Sequence, residues 1–254
     1  MNLNPEPLLP PEAPSPHFWS IYRRPVFLAS LITGLVVFFI WLPSEARMAL
    51  VSLLLAQQLL MSMLLLFALI VLSLVWAAGQ RMDIWVFQFF NLRGYHPKWL
   101  DRIMWLVTQA GNMVTAFLLA GVFFVLNYRR LAVEVILGTI TLWLLVETIK
   151  ALTDRARPFL DIVGARVIGW RERGRSFPSG HTTQTFFLAT LLIQRFQLGV
   201  GGAVILYAVA ALVGFTRMYV GAHYPRDVIG GAVLGSVWGV LAILVDPYWF
   251  GLRF

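Results

Sequence analysis

The chain of 254 residues has no cysteine and few charges. Without cysteine there is no disulfide framework, no thiolate metal site and no thiol nucleophile, and the redox compartment stays open. Charged residues make up 13% of the chain, 20 Lys and Arg against 12 Asp and Glu, where a soluble domain carries about a quarter. That is too few to cover a water-facing surface of this size. The chain is instead 59% hydrophobic, with a mean hydropathy of +0.76, which excludes disorder and fibrous repeats. The expected fold is an all-α, polytopic transmembrane helix bundle. The formal net charge of +8 does not call for nucleic acid, because the basic residues stand between apolar runs rather than along a soluble face. Anionic lipid head groups or a phosphate-bearing substrate fit them better.

Residues 1–24 are a Pro-rich tail (Pro5, Pro7, Pro10, Pro11, Pro14, Pro16), expected to be flexible and lacking the pattern of a signal peptide. A spanning helix needs about 20 apolar residues. The runs that meet this are 25–42, 48–78, 105–126, 131–149, 181–198, 200–220 and 228–245. They predict seven crossings, or six if one of the first two fails. Residues 25–78 are the N-terminal spans and 79–254 the functional core. Short links at Asn127–Arg130 and Gln194–Gly199 make their flanking helices antiparallel neighbours. Gly231, Gly235 and Gly239, four apart, let the last span approach another helix closely. Trp19, Trp41, Trp76, Trp85, Trp99 and Trp105 fall near span ends as interfacial anchors. Residues 79–104, with Trp85, Phe89, Phe90, His96 and Trp99, read as helices lying on the membrane.

The polar loop 150–180 carries seven basic and three acidic residues, half of the whole net charge. Chemistry is expected there. Of the four histidines, His17 and His96 have no chemical company. His181 ends Pro178-Ser179-Gly180-His181 just before an apolar helix. Ser179 is a natural N-cap, so free backbone N–H groups and the helix dipole favour an anion beside His181. His223 lies in Arg217-Met218-Tyr219-Val220-Gly221-Ala222-His223-Tyr224-Pro225-Arg226-Asp227. Pro225 suits a first helical position, and Asp227, four residues on, is placed to reach one imidazole nitrogen. Lys150, Arg157 and Pro158 form a third block at the end of a span. The antiparallel pair 181–198 and 200–220 brings Arg217 and His223 back to the side of the loop. Three cations, a helix N-terminus and two histidines then converge, which is what phosphoryl transfer requires.

These three ordered blocks resemble the signature of the type 2 phosphatidic acid phosphatase superfamily, Lys-x6-Arg-Pro, Pro-Ser-Gly-His and Ser-Arg-x5-His-x3-Asp, over about residues 80–245. Thr216 stands where the pattern has Ser, keeping a hydroxyl. The resemblance implies a six-helix core and a hydrolase of lipid phosphoric esters or diphosphates. His223 would be the nucleophile, forming a phosphohistidine, with Asp227 holding its other nitrogen and His181 protonating the leaving alcohol. Lys150, Arg157, Ser179, Gly180 and Arg217 would hold the phosphate. No metal or other cofactor is implied, and no carboxylate cluster accompanies the motifs.

A soluble haloperoxidase with a similar anion pocket is excluded by the composition. A phosphotransferase with another acceptor, and a lipid-phosphate binding or transport protein, remain as alternatives; the acid and nucleophile pair argues against pure binding. Phosphatidic acid, phosphatidylglycerol phosphate, polyprenyl (undecaprenyl) pyrophosphate and lipid A phosphates are all candidate substrates. Arg171, Arg173 and Arg175 suggest a bulkier or more charged head group. The expected location is a bacterial inner membrane. The resemblance places the site on the extracytoplasmic side, whereas positive-inside counting points the loop to the cytoplasm. The resemblance is followed, on the view that phosphate binding accounts for the loop arginines.

Overall fold

The computed structural model describes residues 56–250 continuously, the last five by backbone only, together with isolated positions between 33 and 52. The tail and the expected span 25–42 therefore lie almost entirely outside the described residues. Residues 57–254 form one compact unit. Its helices are α1 (Gln58–Ser73), α2 (Ala77–Asn91), α3 (Lys98–Thr108), α4 (Met113–Val125), α5 (Arg129–Thr153), the single turn α6 (Pro158–Asp161), α7 (Gly180–Arg195), α8 (Val200–Tyr219) and α9 (Pro225–Phe250). There is no strand among the described residues.

Helix α7 is the hub, packing on α9, α8, α5 and α4. It is also the most polar of the long helices in the interior. Thr182, Thr183, Gln184, Thr185 and Thr190 are buried alongside Phe187, Leu188 and Leu191. In lipid, apolar burial does not drive helix association, so close packing and hydrogen bonds between helices must. Gln184 donates to Thr139 Oγ1 at 3.0 Å, and Thr190 Oγ1 meets the Tyr207 hydroxyl at 3.0 Å. Thr183 satisfies itself on the Ser179 carbonyl at 2.7 Å. The glycine stripe of α9 lies against this helix. A Cβ on Gly235 would stand 2.1 Å from the Thr183 carbonyl oxygen, and one on Gly231 2.8 Å from that of Ser179. Gly138 of α5 makes room for the Phe187 ring in the same way. Around them Leu142, Val146, Ala116, Ala120 and Leu234 complete the core.

Three helical stretches are long and apolar enough to cross a membrane: Arg129–Asp161, Val200–Tyr219 and Pro225–Val245. Counting each of two bent pairs as one span gives up to five among the described residues. The expected run 48–78 contains a helix only from Gln58 to Ser73, followed by a turn and a 93° bend into α2. The run 105–126 is likewise not one helix. A 3-10 turn at Gln109–Gly111 and Asn112, whose side chain accepts from Val114 N–H at 3.1 Å, break it into α3 and α4 at 59°. Apolar content alone cannot reveal such a break, but an N-capping Asn can. The run 181–198 forms α7, only 16 residues long and too rich in Thr to pass as a span by itself. The two links occur as expected: Asn127 (φ 70°) joins α4 to α5 and Gln197 (φ 48°) joins α7 to α8.

Candidate active site

The site gathers at the N-terminal end of α7. The turn 220–224 delivers His223 from the end of α8 to Pro225, which opens α9. Gly221, at φ 88°, is required because a Cβ there would meet the Arg166 carbonyl at 2.0 Å. The His223 ring is buried. Its Nε2 lies 3.2 Å from Arg157 Nη1 and 3.8 Å from Glu172 Oε2. Because a guanidinium only donates, Nε2 faces it as an acceptor, its lone pair turned into the site, and the ring proton belongs on Nδ1. Burial first, then repulsion from Arg157 and Arg217, holds this histidine well below the ordinary value of 6.5, so the imidazole is neutral.

Asp227 does not meet His223 directly. Its Oδ2 is 3.7 Å from Nδ1, beyond a hydrogen bond. It is occupied instead by the Ser176 hydroxyl at 2.5 Å and the Tyr224 N–H at 2.8 Å. Ser176 Oγ itself stands 3.5 Å from Nδ1. An i, i+4 spacing puts two residues on one face; it does not guarantee that their short side chains touch.

Arg157 and Arg217 are both buried and both pair with Glu172, Arg157 at 2.9 Å. Arg157 is fixed by the Ala222 and Gly174 carbonyls at 3.1 and 3.2 Å, and Arg217 by Thr108 Oγ1 at 2.8 Å. Arg217 Nε has no hydrogen-bond partner among the described residues. Glu172 Oε1 is also 4.0 Å from His181 Nδ1. Burial opposes the charge on Glu172, but the Arg217 and Arg157 guanidiniums outweigh it and hold the carboxyl far below the usual carboxylate range. One carboxylate thus occupies the point on which two guanidiniums and His223 Nε2 converge.

His181 stands in the first turn of α7, and Gly111 lets the 3-10 turn pack directly on it, a Cβ there falling 2.7 Å from that of His181. Ser179 occupies the N-cap position but its side chain makes no capping bond; its Oγ accepts from Thr182 Oγ1 at 2.9 Å. The first-turn N–H groups, with that of Gly180, have no acceptor inside the helix. Lys150 pairs with Glu147 at 2.7 Å and lines the same cavity as His181, Arg157 and Glu172. That cavity, of about 340 Å³, continues between Leu142, Trp143 and Val146 of α5 and Met113 of α4. A second, of about 470 Å³, lies beyond His181 and Glu172 and is walled by Trp105, Phe159 and Trp170. Among the described residues no group of three or more His, Cys, Asp or Glu is placed to hold a metal ion.

Phosphate binding does not account for all the loop arginines. Arg166 pairs with both oxygens of Asp101 at 2.7 Å, and Arg175 pairs with Asp154. Arg155 is spent on Asp83 and Asp227. Trp105, expected as an anchor, lines the second cavity. His96 packs on Tyr219, away from the site, and His17 lies outside the described residues. Glu172, Ser176, Arg155 and Asp83 were not legible as site residues, since only the folded chain brings their partners together. The position of Ser176, two residues before Pro178 within the conspicuous block, was the one available hint.

A family model described as "PAP2 superfamily" matches residues 130–250. The chain is 38% identical over 109 residues to a lipid A 1-phosphatase of Rhizobium johnstonii, covering 40% of this chain and 42% of that one. It therefore spans less than half the length of that relative. It is 30% identical over 183 residues to a lipid A 4'-phosphatase of Porphyromonas gingivalis, covering 64% of this chain and 75% of that one. Among solved structures, a transmembrane PAP2 type phosphatidylglycerolphosphate phosphatase from Bacillus subtilis superposes with a TM-score of 0.62 at 25% identity, over 76% of this chain and 98% of that one. With a helix bundle of this apolarity and three matching blocks around one site, the chain is an integral membrane protein and belongs to the PAP2 superfamily.

Proposed function

We propose that the protein is a lipid phosphatase that removes a terminal phosphate, from a monoester or a diphosphate, through a phosphohistidine on His223. The observation that carries this reading is the seat occupied by Glu172. The unprotonated nitrogen of a neutral imidazole, its lone pair accepting from Arg157, and two buried guanidiniums face one anion position, with His181 beside it. Substrate phosphate takes the place of the carboxylate, its oxygens held by Arg157, Arg217, Lys150, the Ser179 hydroxyl and the Gly180 N–H. Burial and then Arg217 hold the pKa of the His181 imidazole down to about 3 before substrate enters. The ring takes up a proton as the phosphate dianion binds beside it, and gives that proton to the leaving ester oxygen as Nε2 of His223 attacks phosphorus. Water then attacks phosphorus, giving its proton to His181, and the P–N bond breaks to release phosphate. Fixed cations stabilise the charge on the equatorial oxygens, so the chemistry needs no metal.

The apolar part of the first cavity, between α4 and α5, suits an acyl or prenyl chain, and in this reading the scissile phosphate sits at the membrane edge. The names of the relatives put lipid A phosphates first among the substrates to test. The reading includes a bacterial inner membrane with the site facing away from the cytoplasm. The test is release of inorganic phosphate by purified protein in mixed micelles, with EDTA, from a panel of lipid mono- and diphosphates. Release that persists in EDTA and disappears in His223→Ala is expected. A folded protein that releases none from any lipid overturns the reading.

A further inference from the structure

The link between the carboxylate of Asp227 and the imidazole of His223 runs through a third side chain. We infer that Ser176 and Arg155 are positioning residues for the nucleophile: Ser176 joins Asp227 to His223, and Arg155 holds both in register. The inference rests on His223 being the nucleophile of the proposed reaction.

Ser176 is wholly buried, and its hydroxyl, at 3.5 Å, is the only side-chain hydrogen-bond partner of Nδ1 among the described residues. It donates to Asp227 Oδ2 at 2.5 Å, which leaves its lone pairs to accept from Nδ1–H. That single arrangement fixes the tautomer with a proton on Nδ1 and a lone pair on Nε2, the nitrogen facing the anion seat. The Ser176 N–H is itself held by the Arg155 carbonyl at 2.8 Å. The same arginine turns its guanidinium to Asp227, Nη1 donating to Oδ1 at 2.5 Å. Its other nitrogen donates to Gln80 Oε1 at 2.7 Å and to Asp83. The guanidinium carbon lies over the Tyr224 ring, 4.5 Å from its centre.

Charge balance explains why Asp83 belongs to the frame. Asp83, buried on α2, shares Arg155 and also accepts from Arg226 Nε at 2.6 Å and Arg226 N–H at 3.1 Å. Carboxylate and guanidinium alternate, two of each, so every buried charge in the frame has an opposite neighbour. The loop after α5, helix α2 and the start of α9 are tied together behind the nucleophile.

The test combines phosphate-release kinetics of the full chain in lipid nanodiscs with ¹⁵N NMR of its histidine rings, the His223 signals being assigned with His223→Gln. In Ser176→Ala, kcat is expected to fall about 10- to 100-fold, the usual consequence of losing an outer partner that orients a functional histidine. KM should stay within about twofold. The His223 ring nitrogens should lose the pure Nδ1–H signature. Arg155→Met should act in the same direction, and Arg155→Lys, which keeps a cation on Asp227, should recover part of the loss. Wild-type kcat in Ser176→Ala overturns the inference, and so does a fall in kcat with an unchanged His223 tautomer. If the wild-type protein turns over no lipid, the phosphatase reading fails, while the tautomer measurement still decides the role of Ser176.

Discussion

Two glutamates, at opposite ends of α7, each sit on arginine, and they do different work. Glu134 of α5 is nearly inaccessible and receives Arg195, the last residue of α7, on both oxygens, through Nε at 2.7 Å and through Nη2. Arg130, one turn earlier on its own helix, stands 3.7 Å away. Both principal partners are carried by helices, so the pair joins two rigid elements. Glu172 comes from a loop, between Gly169 and Gly174, both at positive φ, and its side chain is 30% exposed. Its cations are the fixed partners. Arg157 and Arg217 are buried from opposite sides of the site, and cavities open on either side of the carboxylate. Buried guanidiniums are costly without an anion, so that position is filled either by Glu172 or by a ligand. The same pair of chemical groups makes a lock where both partners stand on long helices. An exchangeable seat is expected where the anion comes from a glycine-flanked loop and its cations are buried and held by carbonyl and hydroxyl groups.

The contrast can be broken at either end. The largest effect on stability is expected at the lock. Glu134→Gln leaves Arg195 without its full countercharge, which costs at the low end of about 3–5 kcal/mol because Arg195 keeps some contact with solvent. A thermal unfolding series in detergent should show a clear fall in Tm, with KM for lipid phosphate unchanged. An unchanged Tm would mean that the pair is not a lock.

Glu172→Gln should do the reverse. Removing the competing charge lets a phosphate reach Arg157 and Arg217 more easily, so KM and the inhibition constant of inorganic phosphate should fall about tenfold, equivalent to about 1.4 kcal/mol. Tm should move little. A raised KM would make Glu172 a substrate-holding residue instead. Because its cations hold Glu172 far below the usual carboxylate range, mild acid should not reproduce the effect of the substitution.

The smallest effect is on pH dependence. The pKa of His223 is depressed in the folded protein, so below its ordinary value of 6.5 the unfolded chain takes up a proton that the folded chain refuses. Stability associated with this residue is therefore present above about pH 6.5 and is lost as pH falls below it. Tm measured from pH 7.5 to 5.5 should decline on the acid side, and His223→Gln should flatten part of that decline.

How much of this was legible in the sequence follows from the range of the interactions. Lys150, Arg157, Ser179, His181, Arg217, His223 and Asp227 sit in short blocks beside apolar runs, where residue type and neighbours already suggest an anion site. The glycine stripe of α9 was equally local, and its partner proved to be α7. Other features depend on distant groups. Arg155 looked like one more cation of a basic loop until Asp83, 72 residues away, was seen beside it. Glu172 looked like a lone acid among arginines, and only folding sets it on Arg157 and Arg217. The same dependence on distant partners holds for α7, an expected span in spite of its threonines. Its threonines lower the hydropathy of the expected span, yet in the bundle they bond to the helix itself or to its neighbours.

The central claim is that the Nε2 lone pair of His223 forms a bond to phosphorus. It is tested most directly by mixing the protein with lipid substrate labelled with ³²P at the terminal phosphate, quenching within milliseconds and examining the denatured chain. The account predicts a covalent label that is stable to alkali, labile to acid, located on the peptide containing His223 and absent from His223→Ala. Rapid phosphate release with no label on the chain at any quench time, or a label retained in His223→Ala, would contradict it.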